Sequence, residues 1–501
     1  MDTIATQFQT TTVGALKEGV NLSRLGLYTA IISGTVIHFV GLGQPLWLDE
    51  AWTGAIAAQN SISAVFHQIL FDVNAPLYYV LAYFWAKIFG LSDVAMRVPS
   101  ALLTAAAAWV VVAGRAPIDK ETKLGWAALL ALWVPGLEYA HDARCYGLLF
   151  FLATINALLF ARLIMDPKRQ NAYGWATVSL LLILTHYYAL LLVGTQVLLL
   201  LARHRAKALS LWPALFIFAP LPFWMMLQIS VILRFLDPRV AWYWLLKFGD
   251  LGIIIDFLAN SYFVVIFVLL LAILGVTRRK DDPLTVEEKG DPLWLVVLAS
   301  VIPAAVVIAV GFVRPSFIFR YLMPFGPGIL LGLALVARNA KPVWKLAPLA
   351  MLLVFLSPTA GWLVKQIGRR GNPYSFETAS QFLIQQGTRH LVFLWDNPSS
   401  QVVDPQQLAA VGGFFFKRAG VPVDVTPIKL HAGEDPNSQL LKAAKAKTSA
   451  ILWLYDIRVH KTAARAYPVA IEARDPAWLC QNFGNQRIGI IACHRKNTGR
   501  G

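Results

Sequence analysis

Apolar runs recur from residue 25 to residue 365, most of them near the length that crosses a bilayer, with short polar connectors between them. Inside lipid each segment must satisfy its own backbone N–H and C=O groups, so unalternating runs of this length are helices. Composition agrees. Of 501 residues 57% are hydrophobic and only 14% charged, against about 25% charged in a soluble domain. The net charge of +16 would suggest a nucleic-acid partner in a soluble protein. Here its placement points instead to membrane topology and to no nucleic acid.

The connectors after residues 114, 161, 202, 276 and 337, together with the N-terminal Lys17 and Arg24, hold most of the lysines and arginines that flank the runs. The positive-inside rule assigns all six stretches to the cytoplasm. Two spans must then separate each stretch from the next. That parity holds if residues 76–91, which start at Pro76 and are rich in aromatics, form an interfacial helix that does not cross. It also requires 171–202 to be two short helices turning near His186. The expected fold is an all-α polytopic membrane protein of about eleven transmembrane helices, N-terminus inside and C-terminus outside. Residues 1–24, which carry no cleavable signal pattern, form a cytoplasmic segment. Residues 25–365 form the membrane domain, with 44–95 as a first extracytoplasmic loop.

From residue 366 the composition turns polar. HLVFLWD, SAILWLY and RIGIIACHRK read as strands, and QQLAAVGGFFFKRAG and NSQLLKAAKAK as helices. Their alternation predicts a small extracytoplasmic α/β domain over 366–501. Cys480 and Cys493 can pair if that domain is extracytoplasmic, and free thiols are an equal alternative. No His, Cys, Asp or Glu spacing argues for a metal.

Several motifs follow one another in a specific order. Asp49-Glu50 comes just after the first span. Then come FDVNAPLYYVLAYFWAKIFG, LSDVAMRVPSALL, PGLEYAHDARCYGLLF, LTHYYALLL and FRYLMPFGPGILL. Together they resemble the GT-C glycosyltransferases of the protein O-mannosyltransferase and aminoarabinose transferase superfamily, in particular the bacterial branch that includes lipopolysaccharide galacturonosyltransferases. The resemblance covers about residues 25–340. Asn74-Ala75-Pro76 stands in place of His-Pro-Pro, and Asp142 in place of Glu.

The resemblance implies a polyprenyl-phosphate-sugar donor and inverting transfer to a glycolipid, glycan or protein acceptor, on the outer face of a bacterial cytoplasmic (inner) membrane. It leaves a divalent cation open. The membrane lipid, the lipid-linked sugar and the acceptor are then the partners. The motif places the general base at Asp49, with Glu50 orienting the acceptor or supporting Asp49. Capping of a helix that begins at Ala51 is the bland alternative for both. Arg144 and Arg320, each followed closely by a tyrosine (Tyr146, Tyr321), read as ligands of the donor phosphate. Snorkelling anchors at span ends are the alternative. His186 and Tyr187 read as phosphate or sugar contacts, or as part of an interfacial belt. Asp72, Glu138, Asp142, Trp242 and Trp244 are candidates for the acceptor or sugar. Asp72 could equally cap a helix, and Arg97 pairs with Asp93 in a purely structural reading. A lipid-linked sugar flippase, or a non-catalytic accessory subunit of envelope glycan assembly, is the alternative function. The flippase would show paired halves and mid-span charges, and only Asp256 and Asn260 stand mid-run.

Overall fold

The computed structural model describes residues 23–235, 243, 245–281, 291–340, 347–368, 375–396, 402, 404–430, 438–439, 442, 449–455, 472, 476–484 and 488–495. In chain order the first helices are α1 (23–37), α2 (Leu48–Ala57), α3 (Ile62–Leu70), α4 (Leu77–Phe89) and α5 (Asp93–Ala113). Next come α6 (Lys120–Leu132), α7 (Val134–Ala140), α8 (Tyr146–Met165), α9 (Arg169–Ile183), α10 (Ala189–His204), α11 (Ala206–Leu209) and α12 (Pro220–Phe235). The rest are α13 (Leu251–Ala259), α14 (Tyr262–Asp281), α15 (Leu293–Val313), α16 (Gly326–Ala340), α17 (Ala347–Gly368), α18 (Phe376–Gln385), α19 (Pro405–Gly412) and α20 (Phe414–Arg418).

Among the described residues six stretches are long and apolar enough to span a membrane: Asp93–Ala113, Tyr146–Met165, Trp212–Arg234, Leu293–Val313, Phe319–Ala340 and Ala347–Gly368. Phe248–Ala259 and Tyr262–Ile273 make a seventh if that pair, bent by 73°, is one broken span. The chain is a multi-pass membrane protein. The other four expected spans fall on shorter or interrupted helices: α1, α6 with α7, α9, and α10. The expected turn near His186 separates α9 from α10. At 13 residues α4 is about 20 Å long, too short to cross.

Contacts divide the chain into two compact units, and the division cuts across linear order. Met1–Gly41, Pro99–Phe223 and Tyr243–Gly368 form the first; Leu42–Val98, Trp224–Trp242 and Arg369–Gly501 form the second.

In the first unit α6 is the central helix. Leu124 and every residue from Trp126 to Leu132 are buried. Trp126 Nε1 donates to the Pro327 carbonyl on α16 at 2.9 Å. The chain breaks after Leu132, before Pro135, and the exposed backbone groups are met by two side chains. Asn260, in the left-handed region at φ 67°, accepts from Val134 N–H at 2.9 Å and donates to the Leu132 carbonyl at 3.3 Å. Thr359 Oγ1 donates to that same carbonyl at 2.6 Å. So the 251–276 run, counted in the sequence as one span, is interrupted at Asn260, where the interruption repairs a second one. A buried relay joins three more helices. Trp175 Nε1 donates to Gln196, Gln196 to Asn156, and Asn156 to Ser179.

The second unit holds a five-stranded sheet in the order β2-β1-β3-β5-β4. Its strands are β1 (His390–Asp396), β2 (Asp424–Lys429), β3 (Ala450–Tyr455), β4 (Trp478–Asn482) and β5 (Gly489–Arg495). β1 runs parallel to β2 and β3, while β5 runs antiparallel to β3 and β4. Every residue of β3 and all of β1 beyond His390 are buried, as expected for central strands covered on both faces. Cys480 stands opposite Cys493 across β4 and β5, and a disulfide joins them. Most of the NSQLLKAAKAK helix expected from sequence lies outside the described residues.

Candidate active site

In the second unit, Asp49 and Glu50 occupy the first turn of α2, which begins at Leu48 rather than at Ala51. The two carboxylates have different surroundings. Glu50 is fully buried and Asp49 half-buried. Glu50 reaches back to accept from the Trp47 N–H at 3.0 Å, the carboxylate half of a capping box. Arg97 on α5 grips the same carboxylate with two bonds, Nε to Oε1 at 2.7 Å and Nη2 to Oε2 at 2.5 Å. The remaining Arg97 N–H groups donate to the carbonyls of Leu42, Gln44 and Pro45. One guanidinium therefore fixes both α2 and the segment that leads into it. Glu50 is a structural anchor whose neighbour Asp49 turns to a different face. The helical pairing of Arg97 with Asp93 read from sequence gives way to this one. Asp93 instead pairs with Arg418 at 2.6 Å.

Asp72 is buried. Its Oδ1 accepts from the Asn74 N–H at 2.8 Å and from Asn74 Nδ2 at 2.6 Å, and Asn74 also bonds Tyr79. Asn74, at the position where the resemblance has histidine, thus builds the turn before α4.

In the first unit, residues from five distant stretches meet. Arg144, in the turn between α7 and α8, is buried, and Ser100 Oγ donates to its carbonyl at 3.1 Å. The backbones come close here: a Cβ on Gly147 would stand 2.5 Å from the Ser100 carbonyl oxygen. Only glycine allows that approach. Arg320 lies over the Tyr146 ring, its Cζ 5.7 Å from the centroid. His186, buried in the turn outside α9 and α10, lies 5.4 Å from the Tyr321 ring and 6.1 Å from that of Tyr146. Tyr188 stacks on Tyr321 at 4.2 Å, and Tyr243 lies 6.2 Å from it. Burial, followed by the charges of Arg320 and then Arg144, pushes His186 down to about 3. The imidazole is neutral at physiological pH, and the two guanidiniums supply the cluster's positive charge.

The sequence reading named Arg144, Tyr146, His186, Arg320 and Tyr321, and the fold brings all five together. Tyr188 and Tyr243 were missed. Tyr188 is the second tyrosine of the quoted His-Tyr-Tyr motif, which was its only signal. Tyr187 is half-buried beside His186, Glu138 is exposed on α7, and Asp142 is half-buried in the turn before Arg144. Trp242 and Trp244 lie outside the described residues. Among the described residues no three His, Cys, Asp or Glu side chains gather as a metal site.

Comparison of the sequence with protein-family models and with curated proteins gives no match. Solved structures do match. ArnT from Cupriavidus metallidurans in the apo state aligns over 96% of this chain and 98% of its own, with a TM-score of 0.54 at 13% identity. The same protein bound to undecaprenyl phosphate aligns over 93% and 97%, with a TM-score of 0.54 at 14% identity. The archaeal oligosaccharyltransferase AglB from Archaeoglobus fulgidus, in complex with an inhibitory peptide and a dolichol-phosphate, aligns over 90% of this chain and 71% of its own, with a TM-score of 0.51 at 10% identity. The chain has the GT-C fold. Within this GT-C fold the arginine cluster sits at helix ends and turns, and the acidic pair opens the first helix after α1.

Proposed function

We propose that this chain is an integral membrane glycosyltransferase. It moves a sugar from a polyprenyl-phosphate-sugar donor to an extracytoplasmic glycolipid, glycan or protein acceptor, with inversion. The observation that supports this best is the meeting of Arg144 and Arg320 around a neutral, buried histidine in a tyrosine-lined cluster. Two guanidiniums suit a phosphate, which arginine binds through paired hydrogen bonds, and a neutral imidazole beside them can add a further hydrogen bond. Two structural neighbours, ArnT and AglB, were solved with a polyprenyl or dolichol phosphate, which supports the same class of donor here.

The acceptor oxygen attacks the anomeric carbon as the bond from that carbon to the phosphate oxygen breaks. The acceptor proton passes to Asp49, and the electron pair leaves with the lipid phosphate. A positioned carboxylate base contributes typically about 10²–10⁴-fold. Arg144 and Arg320 meet the charge that grows on the departing phosphate. Glu50 keeps α2 in place through Arg97. Tyr146, Tyr321, His186 and Tyr187 line the phosphate or sugar. Asp72, Glu138, Asp142, Trp242 and Trp244 are assigned to the acceptor or sugar.

In this reading the N-terminus is cytoplasmic, about eleven helices cross a bacterial inner membrane, and both site and sheet face outward. The Cys480–Cys493 disulfide supports that side, since such bonds persist in oxidising compartments. Mass spectrometry of envelope glycans and glycolipids from cells with and without this chain tests the proposal. One missing sugar, restored by wild type and not by Asp49→Asn, is expected. An unchanged envelope, or rescue by Asp49→Asn, would overturn it.

A further inference from the structure

The C-terminal sheet and its helices belong to the same compact unit as the segment that carries Asp49. Their contacts converge on that segment. Gly54 on α2 lacks a side chain where the Phe414 ring of α20 presses; a Cβ there would overlap Cζ, Cε2 and Cε1 of the ring. Trp395 at the end of β1 packs edge-on against Trp52 of α2, with centroids 5.7 Å apart. Lys417 Nζ donates to Asn60 at 3.1 Å, and Gln407 Nε2 to the Gln68 carbonyl at 3.3 Å. Arg418 bonds Asp93, the first residue of α5, at 2.6 Å, and also pairs with Glu377. One helical turn on from Asp93, Arg97 holds Glu50.

The side chains of α20 thus reach the helix that bears Asp49 and the helix that clamps its neighbour. Such a chain of packed, directional contacts fixes a reacting group more tightly than a loop would. We propose that α20, through Phe414 and Arg418, is a positioning element that sets the placement of Asp49, so that the C-terminal domain controls turnover without contributing a reacting atom. This rests on the reading of Asp49 as the base. Phe414 and Arg418 are positioning residues, and the notch at Gly54 is their counterpart.

The test uses the full-length protein in proteoliposomes with a polyprenyl-phosphate-sugar donor. Phe414→Ala and Gly54→Ala are expected to lower kcat by roughly 10- to 100-fold, the scale of a small misplacement of a reacting group, with the donor KM unchanged. Gly54→Ala combined with Phe414→Ala, which removes the overlap, should recover part of the loss seen in Gly54→Ala. Arg418→Lys should keep more turnover than Arg418→Ala. A fall confined to donor KM, or wild-type kcat in Phe414→Ala and Arg418→Ala alike, would overturn the proposal. Hydrogen exchange decides it separately from the enzymatic reading. In Phe414→Ala the amides of residues 48–57 should exchange faster while those of β1 do not change. Unchanged exchange at 48–57 would overturn it even if wild type transfers sugar. Absence of transfer by wild type would count against the enzymatic reading alone.

Discussion

Arg97 donates through Nε and Nη2 to both carboxylate oxygens of Glu50, a residue 47 positions away, and neither side chain is more than 5% exposed. A buried pair of this kind is weak evidence for net stability, but breaking it leaves a charge with no counterion. Arg97→Ala is therefore expected to destabilise the protein by about 3–5 kcal/mol, the cost of removing one partner of a buried pair. Arg97→Lys should fail to restore it, because an ammonium cannot span both oxygens. Thermal unfolding in detergent checks both. A Tm within a degree or two of wild type for Arg97→Ala would contradict the anchoring role.

Arg144 and Arg320 are assigned to the donor phosphate. Hydrogen bonds to charged groups contribute about 1.5–3 kcal/mol each. Arg144→Ala and Arg320→Ala should each weaken binding of undecaprenyl phosphate by roughly 10- to 150-fold at moderate salt. Binding isotherms in lipid nanodiscs provide the measurement. Equal affinity in both variants would leave the two arginines as membrane anchors.

His186, pushed down to about 3 by burial and by the two arginines, makes a prediction about pH. A polyprenyl-phosphate-sugar is a phosphodiester and keeps a single charge from pH 5 to pH 8. Donor affinity should then be flat over that window, and an inflection near 6.5 would contradict a neutral imidazole. The sign for stability follows from linkage. The folded-state pKa lies below the unfolded value, so the stabilisation is present above about 6.5 and is lost as pH falls toward 3. His186→Gln should unfold with a shallower acid dependence than wild type. The difference is at most about 1.4 kcal/mol per pH unit below 6.5.

Cys480 and Cys493 give a compartment test. In intact cells the half-buried Cys480 should react with a membrane-impermeant maleimide only after a reductant is added. Cys480→Ser with Cys493→Ser should lower stability by about 2–4 kcal/mol, the usual scale for a bridge that closes a short loop. Free thiols in cells would place the sheet in a reducing compartment.

Much of the fold was legible because its signals are local. Charged connectors located the helices, and the aromatic Pro76 segment was recognised as too short to cross. The turn at His186 followed from parity, and the strands β1, β3 and β5 from unbroken apolar runs. The edge strands carried weaker signals. β2 contains Pro427, and β4 reads WLCQN, half polar. The break at Asn260 was not legible, since its reason lies in carbonyl and amide groups of α6 and α7 more than a hundred residues away. The site was legible in its arginines and tyrosines, whose neighbours along the chain repeat a known pattern. The partner of Glu50 was not. The helical spacing of Asp93 and Arg97 offered a local ion pair, and the buried carboxylate at Glu50 outcompeted it.

Asp49 carries the central claim. The direct measurement is single-turnover sugar transfer by Asp49→Asn in proteoliposomes, with donor affinity measured on the same preparation. The account predicts transfer slowed by about 10²–10⁴-fold at wild-type donor affinity. A wild-type transfer rate in Asp49→Asn would contradict it, as would a loss explained wholly by weaker donor binding.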